Sequence, residues 1–203
     1  MSYSYDVFVS YRRRGEWPKW VHDIFIPLLD HWLGEELGRN AEIFVDQSIE
    51  SGSAWPYELA RALGSSRVLI ALWSKQYFNS EWCLTELSLM RQREVHCGLG
   101  TLEQPGGLIV PAAIHDGDSF PHDAQRIIFA RFQQFTNVRL AQNSPTEERL
   151  SEAIRDWVPA VAGAIQRAPA FEAAWSTLAA AEFVRRFSTP TAHQTEVPSL
   201  GAA

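Results

Sequence analysis

Trp82 and Glu86 are the two residues of this sequence whose types and spacing are best suited to chemistry. They lie four residues apart in a segment that follows the apolar run 68–73, with Ser80 as a suitable N-cap and Glu81 at the positive end of a helix. The indole and the carboxylate then share one flank, beside an apolar face of Cys83, Leu84, Leu87 and Met90. Spacing alone favours an ordinary surface glutamate at the border of that face over a partly desolvated catalytic group.

Composition narrows the class of protein. With 203 residues, 46% of them hydrophobic, the chain can bury one full core, and its length favours one domain with an appendage. A net charge of −6 argues against a nucleic-acid surface, and Arg12 to Arg14 form a local exception that suits either a solvated loop or an anionic ligand. No run approaches the ~20 apolar residues of a membrane span. Without a visible signal peptide, and with two cysteines that make no disulfide framework, we expect a cytoplasmic protein.

The sequence lacks the motifs that several types of enzyme reaction require. The sequence has no phosphate-binding glycine loop, no nucleophile elbow and no Cys or His set at metal-ligand spacing. His115 follows a strand and is a weak candidate, while Asp116 and Asp118 have the pattern of a turn. Hydride, phosphoryl and acyl transfer are therefore disfavoured, and we expect no metal site.

Apolar periodicity predicts strands alternating with helices. The strands are predicted at 5–11, 41–46, 68–73, 108–114 and 132–138, and the helices between and after them, with a long one over 147–165. This order predicts an α/β fold with a parallel sheet covered on both faces. The loops after the strands, at 10–14, 46–54, 74–86 and 115–118, would then gather at the carboxyl edge, where ligands bind.

The chain divides into three parts by composition. We predict one domain over 1–166, a short amphipathic helix within 167–187, and a disordered tail over 188–203. The helix can pack on its own domain or on a partner, and its pattern favours its own domain.

Three segments resemble the TIR (Toll/interleukin-1 receptor) domain family, most of all its bacterial stand-alone members. Residues 5–11 are similar to the opening strand, and residues 44–52 with Glu58 and Leu59 resemble the second strand and the so-called BB loop. Residues 80–87 look like the helix that holds the catalytic glutamate of TIR enzymes. The resemblance covers about residues 3–166, and the order and spacing of the three segments make it specific.

The resemblance implies a five-stranded, flavodoxin-like fold and cleavage of NAD at the nicotinamide–ribose bond. Glu86 matches the catalytic acid, and NAD is the substrate, so no further cofactor is implied. The implied substrate-binding residues are Ser10, Tyr11, Arg12, Asp46, Ser48, Tyr77 and Trp82. Trp82 is the expected aromatic wall for a flat ring. Trp73, Tyr77 and Phe78 are further candidates, and for each of them core packing is the favoured interpretation. Gly52 and Trp55, in and beside the BB loop, are the candidate self-association residues, and packing at the start of the following helix is an equally favoured interpretation of Trp55.

A single acid suffices for this reaction. The nicotinamide of NAD leaves as a neutral molecule from a cationic pyridinium, so no general acid is needed, unlike ordinary glycoside hydrolysis. One ionised carboxylate near the ribose can stabilise the developing oxocarbenium-like centre. The product, ADP-ribose or a cyclic or conjugated form, stays open.

Other functions remain to be separated from this one. The first hypothesis is an NAD-cleaving enzyme of bacterial antiviral or stress defence, activated by self-assembly and triggered by a separate sensor or effector protein. The alternative is a non-catalytic TIR scaffold, and the missing proline in the BB loop puts an animal-type signalling role in doubt. A nucleoside deoxyribosyltransferase is a third hypothesis, against which the Trp-Cys-x-x-Glu segment argues.

Overall fold

A computed structural model describes residues 2–45, 55–116, 120–125, 127–136 and 144–187, without the side chains of Trp55 and Pro56. The strands are β1 (Tyr5–Tyr11), β2 (Ile43–Val45), β3 (Ser66–Trp73), β4 (Ile109–Ala113) and β5 (Ala130–Arg131). The α-helices are α1 (Trp17–Trp20), α2 (Ile26–Leu37), α3 (Trp55–Gly64), α4 (Glu81–His96), α5 (His122–Gln125), α6 (Pro145–Arg167) and α7 (Ala173–Phe187). A π-helical turn (Val21–Phe25) joins α1 to α2, and 3₁₀ turns span Tyr77–Asn79 and Gln133–Phe135.

The described strands form a five-stranded parallel sheet in the order β2-β1-β3-β4-β5. β1 lies between β2 and β3, with Val7 beside Ile43 on one side and Val68 on the other. Both faces of β1 and β3 are covered, which is why their sequences are continuous apolar runs rather than alternating ones. The order is that of flavodoxin-like sheets, and the predicted fold class is confirmed.

Helices cover the sheet on its two faces. α2 packs on α6 in one layer, while α3 and α4 contact β1 and β3 in the other. The core between these layers is large and aromatic-rich, with Phe8, Trp20, Phe25, Trp73 and Phe132 almost fully buried. This single core holds the carboxyl ends of the strands in fixed positions.

The fifth strand differs from its prediction. The sequence predicts it over 132–138, but β5 is Ala130–Arg131 and the chain turns directly afterwards. Phe132 and Phe135 are both buried at a spacing of three, which suits the 3₁₀ turn that follows rather than a strand. Residues 137–143 lie outside the described residues.

α7 packs on its own domain. It runs antiparallel to α3 and α4. Ser176, near the start of α7, meets Gly64 at the end of α3. Phe187, at the end of α7, meets Trp82 near the start of α4. Trp175 also packs on His96 with ring centroids 5.3 Å apart. Residues 188–203, for which we predict a disordered tail, lie outside the described residues.

A buried carboxylate stabilises the opposite, amino edge of the sheet. Asp6 accepts hydrogen bonds from Arg39 Nη1 and Nη2 at 2.6 and 2.7 Å and from the Glu42 backbone N–H at 3.1 Å. Arg67 Nε lies 3.3 Å from the same carboxylate. Burial raises the pKa of Asp6, but these donors outweigh it and hold that pKa below its ordinary value.

Membrane insertion has no candidate segment in the part of the chain that is described. No helix there combines the length and the apolar composition that a bilayer crossing requires.

Candidate active site

A cleft of about 600 Å³ opens at the carboxyl edge of the sheet, between the end of β1 and the start of α4. This volume is in the range of small-molecule sites. Its walls combine a carboxylate, three arginines, an imidazole and an indole. The lining residues are Val9, Ser10, Tyr11, Arg12, Arg13, Arg14, Pro18, His22, Ser80, Trp82, Cys83 and Glu86.

Glu86 lies deeper than its spacing predicts. The sequence predicts it at a solvent-reachable border, yet it is only 4% exposed. The predicted apolar face is wrong at Leu84, which is exposed, because α4 turns several polar residues inward. One partner of Glu86 comes from a distant segment: the Ser10 hydroxyl, which donates to Oε2. The carboxylate is therefore held at the base of the cleft.

The start of α4 is fixed by its cap. Ser80 accepts the Cys83 backbone N–H at 3.4 Å, which confirms the predicted N-cap. The same Ser80 hydroxyl accepts a hydrogen bond from Arg12 Nη1 at 3.0 Å. The cap thereby ties the loop after β1 to the helix that carries Glu86.

The arginine run faces the cleft. Arg12, Arg13 and Arg14 all line it, so the anionic-ligand interpretation of this run gains support over the solvated loop. Tyr11 donates or accepts a hydrogen bond with His22 Nε2 at 3.1 Å. His22 lies in the π-helical turn, and such turns are frequent at functional sites. Sequence reasoning missed His22, since a histidine on an amphipathic helix gives no signal of its own.

Trp82 lines the cleft and is backed by α7. Its ring stacks on Phe187 with centroids 3.6 Å apart and planes 10° apart, and it also contacts Phe183 at 5.4 Å. Neither phenylalanine lines the cleft. The two rings of α7 therefore support the indole from behind.

Tyr77 and Trp73 do not reach the cleft. Both are fully buried, and Trp73 packs among Phe78, Phe120 and Phe129 at 5.4–5.7 Å between centroids. The prediction that Tyr77 contacts the substrate as an aromatic wall is thus corrected: its ring is enclosed by the core, and only its hydroxyl points towards the site, 3.0 Å from Ser10 Oγ.

Burial keeps two groups at the site protonated. It raises the pKa of Cys83 to about 12, with a further contribution from the neighbouring Glu86 carboxylate. Burial also raises the pKa of Tyr77 well above its ordinary value. Neither group supplies an anion at neutral pH, so neither is a nucleophile or a base there. Among the described residues that line the cleft, Glu86 is the carboxylate.

Other predicted site residues lie elsewhere. Asp46, Ser48 and Gly52 fall outside the described residues, as does the side chain of Trp55. His115 is not among the residues that line the cleft. Its Nδ1 atom lies 3.4 Å from Oδ2 of the neighbouring Asp116. Within the described ranges, no three His, Cys, Asp or Glu side chains are arranged to hold a metal ion.

Comparison with known proteins gives a family match. Residues 7–153 match the family model described as "TIR domain". Two curated relatives from Arabidopsis thaliana are Protein SUPPRESSOR OF npr1-1, CONSTITUTIVE 1, 36% identical over 111 residues, and Probable disease resistance protein RPP1, 27% identical over 154 residues. These alignments cover 55% and 71% of this chain but only 6% and 12% of the relatives.

A solved structure is also similar. The TIR domain of the Toll-related receptor TRR-2 from Hydra magnipapillata aligns with a TM-score of 0.44 at 19% identity, over 74% of this chain and 98% of that one.

Proposed function

The chain belongs to the TIR domain family, and from this premise we propose that it cleaves NAD at the bond between nicotinamide and ribose, with Glu86 as the catalytic residue. The observation that carries the proposal is the buried Glu86 carboxylate at the base of a cleft lined by three arginines. NAD has the matching features, namely a cationic pyridinium ring bonded to ribose and a diphosphate.

The chemistry requires few groups. An ionised Glu86 would stabilise positive charge as it develops on the ribose, and the low exposure of the carboxylate strengthens that interaction. Nicotinamide departs neutral, so the raised pKa of Cys83 and Tyr77, which keeps both protonated, is no obstacle. Trp82 offers an aromatic surface for a flat ring, and Arg12 to Arg14 offer donors for phosphate.

A direct assay tests the enzyme proposal. Concentrated protein is incubated with NAD, and nicotinamide and the ribosyl product are followed by chromatography. We expect Glu86→Gln to be at least about 100-fold slower than wild type, because it keeps the shape of the side chain and removes its charge. Glu81→Gln is the matched control: it changes an exposed carboxylate on the same helix and is expected to keep wild-type turnover.

Each result has a defined meaning. Equal turnover by Glu86→Gln and wild type would overturn the assignment of Glu86. A folded wild-type protein that releases no nicotinamide at high concentration would favour the non-catalytic scaffold. Thermal unfolding of both variants shows that a loss of turnover is not a loss of fold.

Self-association is the second part of the proposal. TIR family resemblance implies contacts between copies through the BB loop, with Gly52 and Trp55 as the expected interface residues. We expect specific activity to rise with protein concentration and Trp55→Ala to weaken that rise. A specific activity that is constant over a wide concentration range would contradict this part alone. An immune or stress role is proposed on the same basis, and the name of one relative, Probable disease resistance protein RPP1, states disease resistance for that protein.

A further inference from the structure

A short row of hydroxyl groups runs behind Glu86 into the core. Ser10 Oγ, at the end of β1, donates to Glu86 Oε2, and the Tyr77 hydroxyl lies 3.0 Å from the same Ser10 oxygen. Tyr77 belongs to the 3₁₀ turn before α4, so the row joins three separate elements. Ser10, Tyr77 and Glu86 are 1%, 0% and 4% exposed.

The hydrogen bonds of this row of hydroxyl groups have a defined donor-to-acceptor direction. In the ionised form that the proposed reaction requires, the Glu86 carboxylate only accepts hydrogen bonds, so the Ser10 hydroxyl donates its one proton to Glu86. Ser10 can then only accept from Tyr77. The Tyr77 hydroxyl has a second acceptor, the Cys83 carbonyl oxygen, but that oxygen is farther away at 3.4 Å. The protons therefore point from Tyr77 through Ser10 towards Glu86.

Tyr77 is anchored well enough to act as the fixed end of the row. Its backbone N–H donates to the Ser74 hydroxyl at 3.1 Å and to the Ser74 carbonyl at 3.0 Å. Its ring packs edge-on against Phe78, with centroids 5.5 Å apart, and is fully buried. The Ser10 hydroxyl is held by Glu86 on one side, and the Tyr77 hydroxyl is the partner that fixes it on the other.

We propose that Tyr77 is a positioning residue for NAD cleavage, whose hydroxyl fixes the Ser10 hydroxyl and through it the orientation of the Glu86 carboxylate. This inference rests on the proposed function. It assigns Tyr77 a role through Ser10 in place of the substrate contact that the sequence predicts. A well-oriented carboxylate matters because its charge must face the ribose as the bond breaks.

The test separates kcat from KM. Tyr77→Phe keeps the buried ring and removes one hydroxyl, so we expect kcat for nicotinamide release to fall about three- to tenfold, the range of one neutral hydrogen bond. We expect KM for NAD to stay unchanged, since Tyr77 does not line the cleft. Tyr5→Phe, which removes a hydroxyl at the far end of β1, is the control and should keep both constants.

A double-mutant cycle shows whether Tyr77 acts through Ser10. In a Ser10→Ala background, Tyr77→Phe should have almost no further effect on kcat, because the intermediate hydroxyl is gone. An equal loss in both backgrounds, or an unchanged kcat in Tyr77→Phe, would overturn the proposal. If Tyr77→Phe does not fold, Ser10→Ala carries the test, and full kcat in that variant would overturn it.

The failure of this inference is distinct from the failure of the proposed function. Wild-type turnover that is lost in Glu86→Gln establishes the reaction and the acid. Full kcat in Tyr77→Phe under those conditions refutes the positioning role alone. A wild-type protein without turnover refutes both.

Discussion

α3 and α7 approach closely at Gly64, and the contact permits no side chain. A Cβ placed on Gly64 would lie 2.5 Å from the Cα of Ser176 and 2.8 Å from its backbone nitrogen. These are backbone atoms, so they cannot rotate away as a side chain would. Gly64→Ala therefore forces α7 to move off α3.

The magnitude follows from two opposing effects. Overpacking of this kind costs typically about 1–3 kcal/mol. Alanine in place of glycine in a helix returns about 0.5–1 kcal/mol. The two ranges leave a net loss of about 0–2.5 kcal/mol in the free energy of unfolding, centred near about 1 kcal/mol, which corresponds to a fall of a few degrees in the melting temperature at about 2–4 °C per kcal/mol for a chain of this size.

Gly34 provides a matched control within α2. A Cβ there would meet only the Arg39 carbonyl oxygen, at an ordinary 3.6 Å. Gly34→Ala should therefore stabilise the protein by the helical gain of about 0.5–1 kcal/mol. The same substitution is thus expected to have opposite signs at two helical glycines.

Urea unfolding of the three proteins, followed by circular dichroism, measures both effects. A Gly64→Ala protein as stable as Gly34→Ala would refute the close seating of α7 on α3. It would also remove the structural reason for the Phe187 contact with Trp82 at the other end of α7.

Three further predictions concern other parts of the molecule. Phe187→Ala should lower the free energy of unfolding by about 1–2 kcal/mol through the lost ring pair with Trp82, and an unchanged urea midpoint would contradict the stack. Because the pKa of Asp6 is held below its unfolded value, its ionisation stabilises the fold above about pH 4 and that contribution is lost as pH falls through the folded pKa. Asp6→Asn should therefore be less stable than wild type at pH 7, with a gap in urea midpoint that narrows as pH falls below about 4; a constant gap would refute this. At pH 8 a thiol reagent should modify Cys97, which is partly exposed, and should reach buried Cys83 only after unfolding; two rapidly reacting thiols in the native protein would be inconsistent with the structure.

Features with local causes are the ones that the sequence predicts well. The continuous apolar runs of β1 and β3 predict strands buried on both faces, and the Ser80 cap predicts the start of α4, because each signal is complete within a few residues. The prediction places β5 too late in the chain because an apolar spacing of three in a short segment suits a turn as well as a strand end.

Features that depend on distant partners are not predictable in the same way. The burial of Glu86 is compensated by Ser10, which lies 76 residues earlier in the chain. The Tyr77 hydroxyl likewise meets Ser10 across 67 residues of sequence. The residue type of Tyr77 therefore indicates an aromatic surface and does not predict the row of hydroxyl groups. The apolar periodicity of α7 predicts a helix but not that its last aromatic residue lies behind the cleft.

The docking of α7 has a consequence for where this unit can be cut. The family match ends at residue 153, within α6, whereas Phe183 and Phe187 come well after it. A fragment trimmed to that match would uncover the apolar surface that α3 and α4 present to α7 and would leave the indole of Trp82 without backing. For this chain, the smallest piece worth expressing extends at least to Phe187.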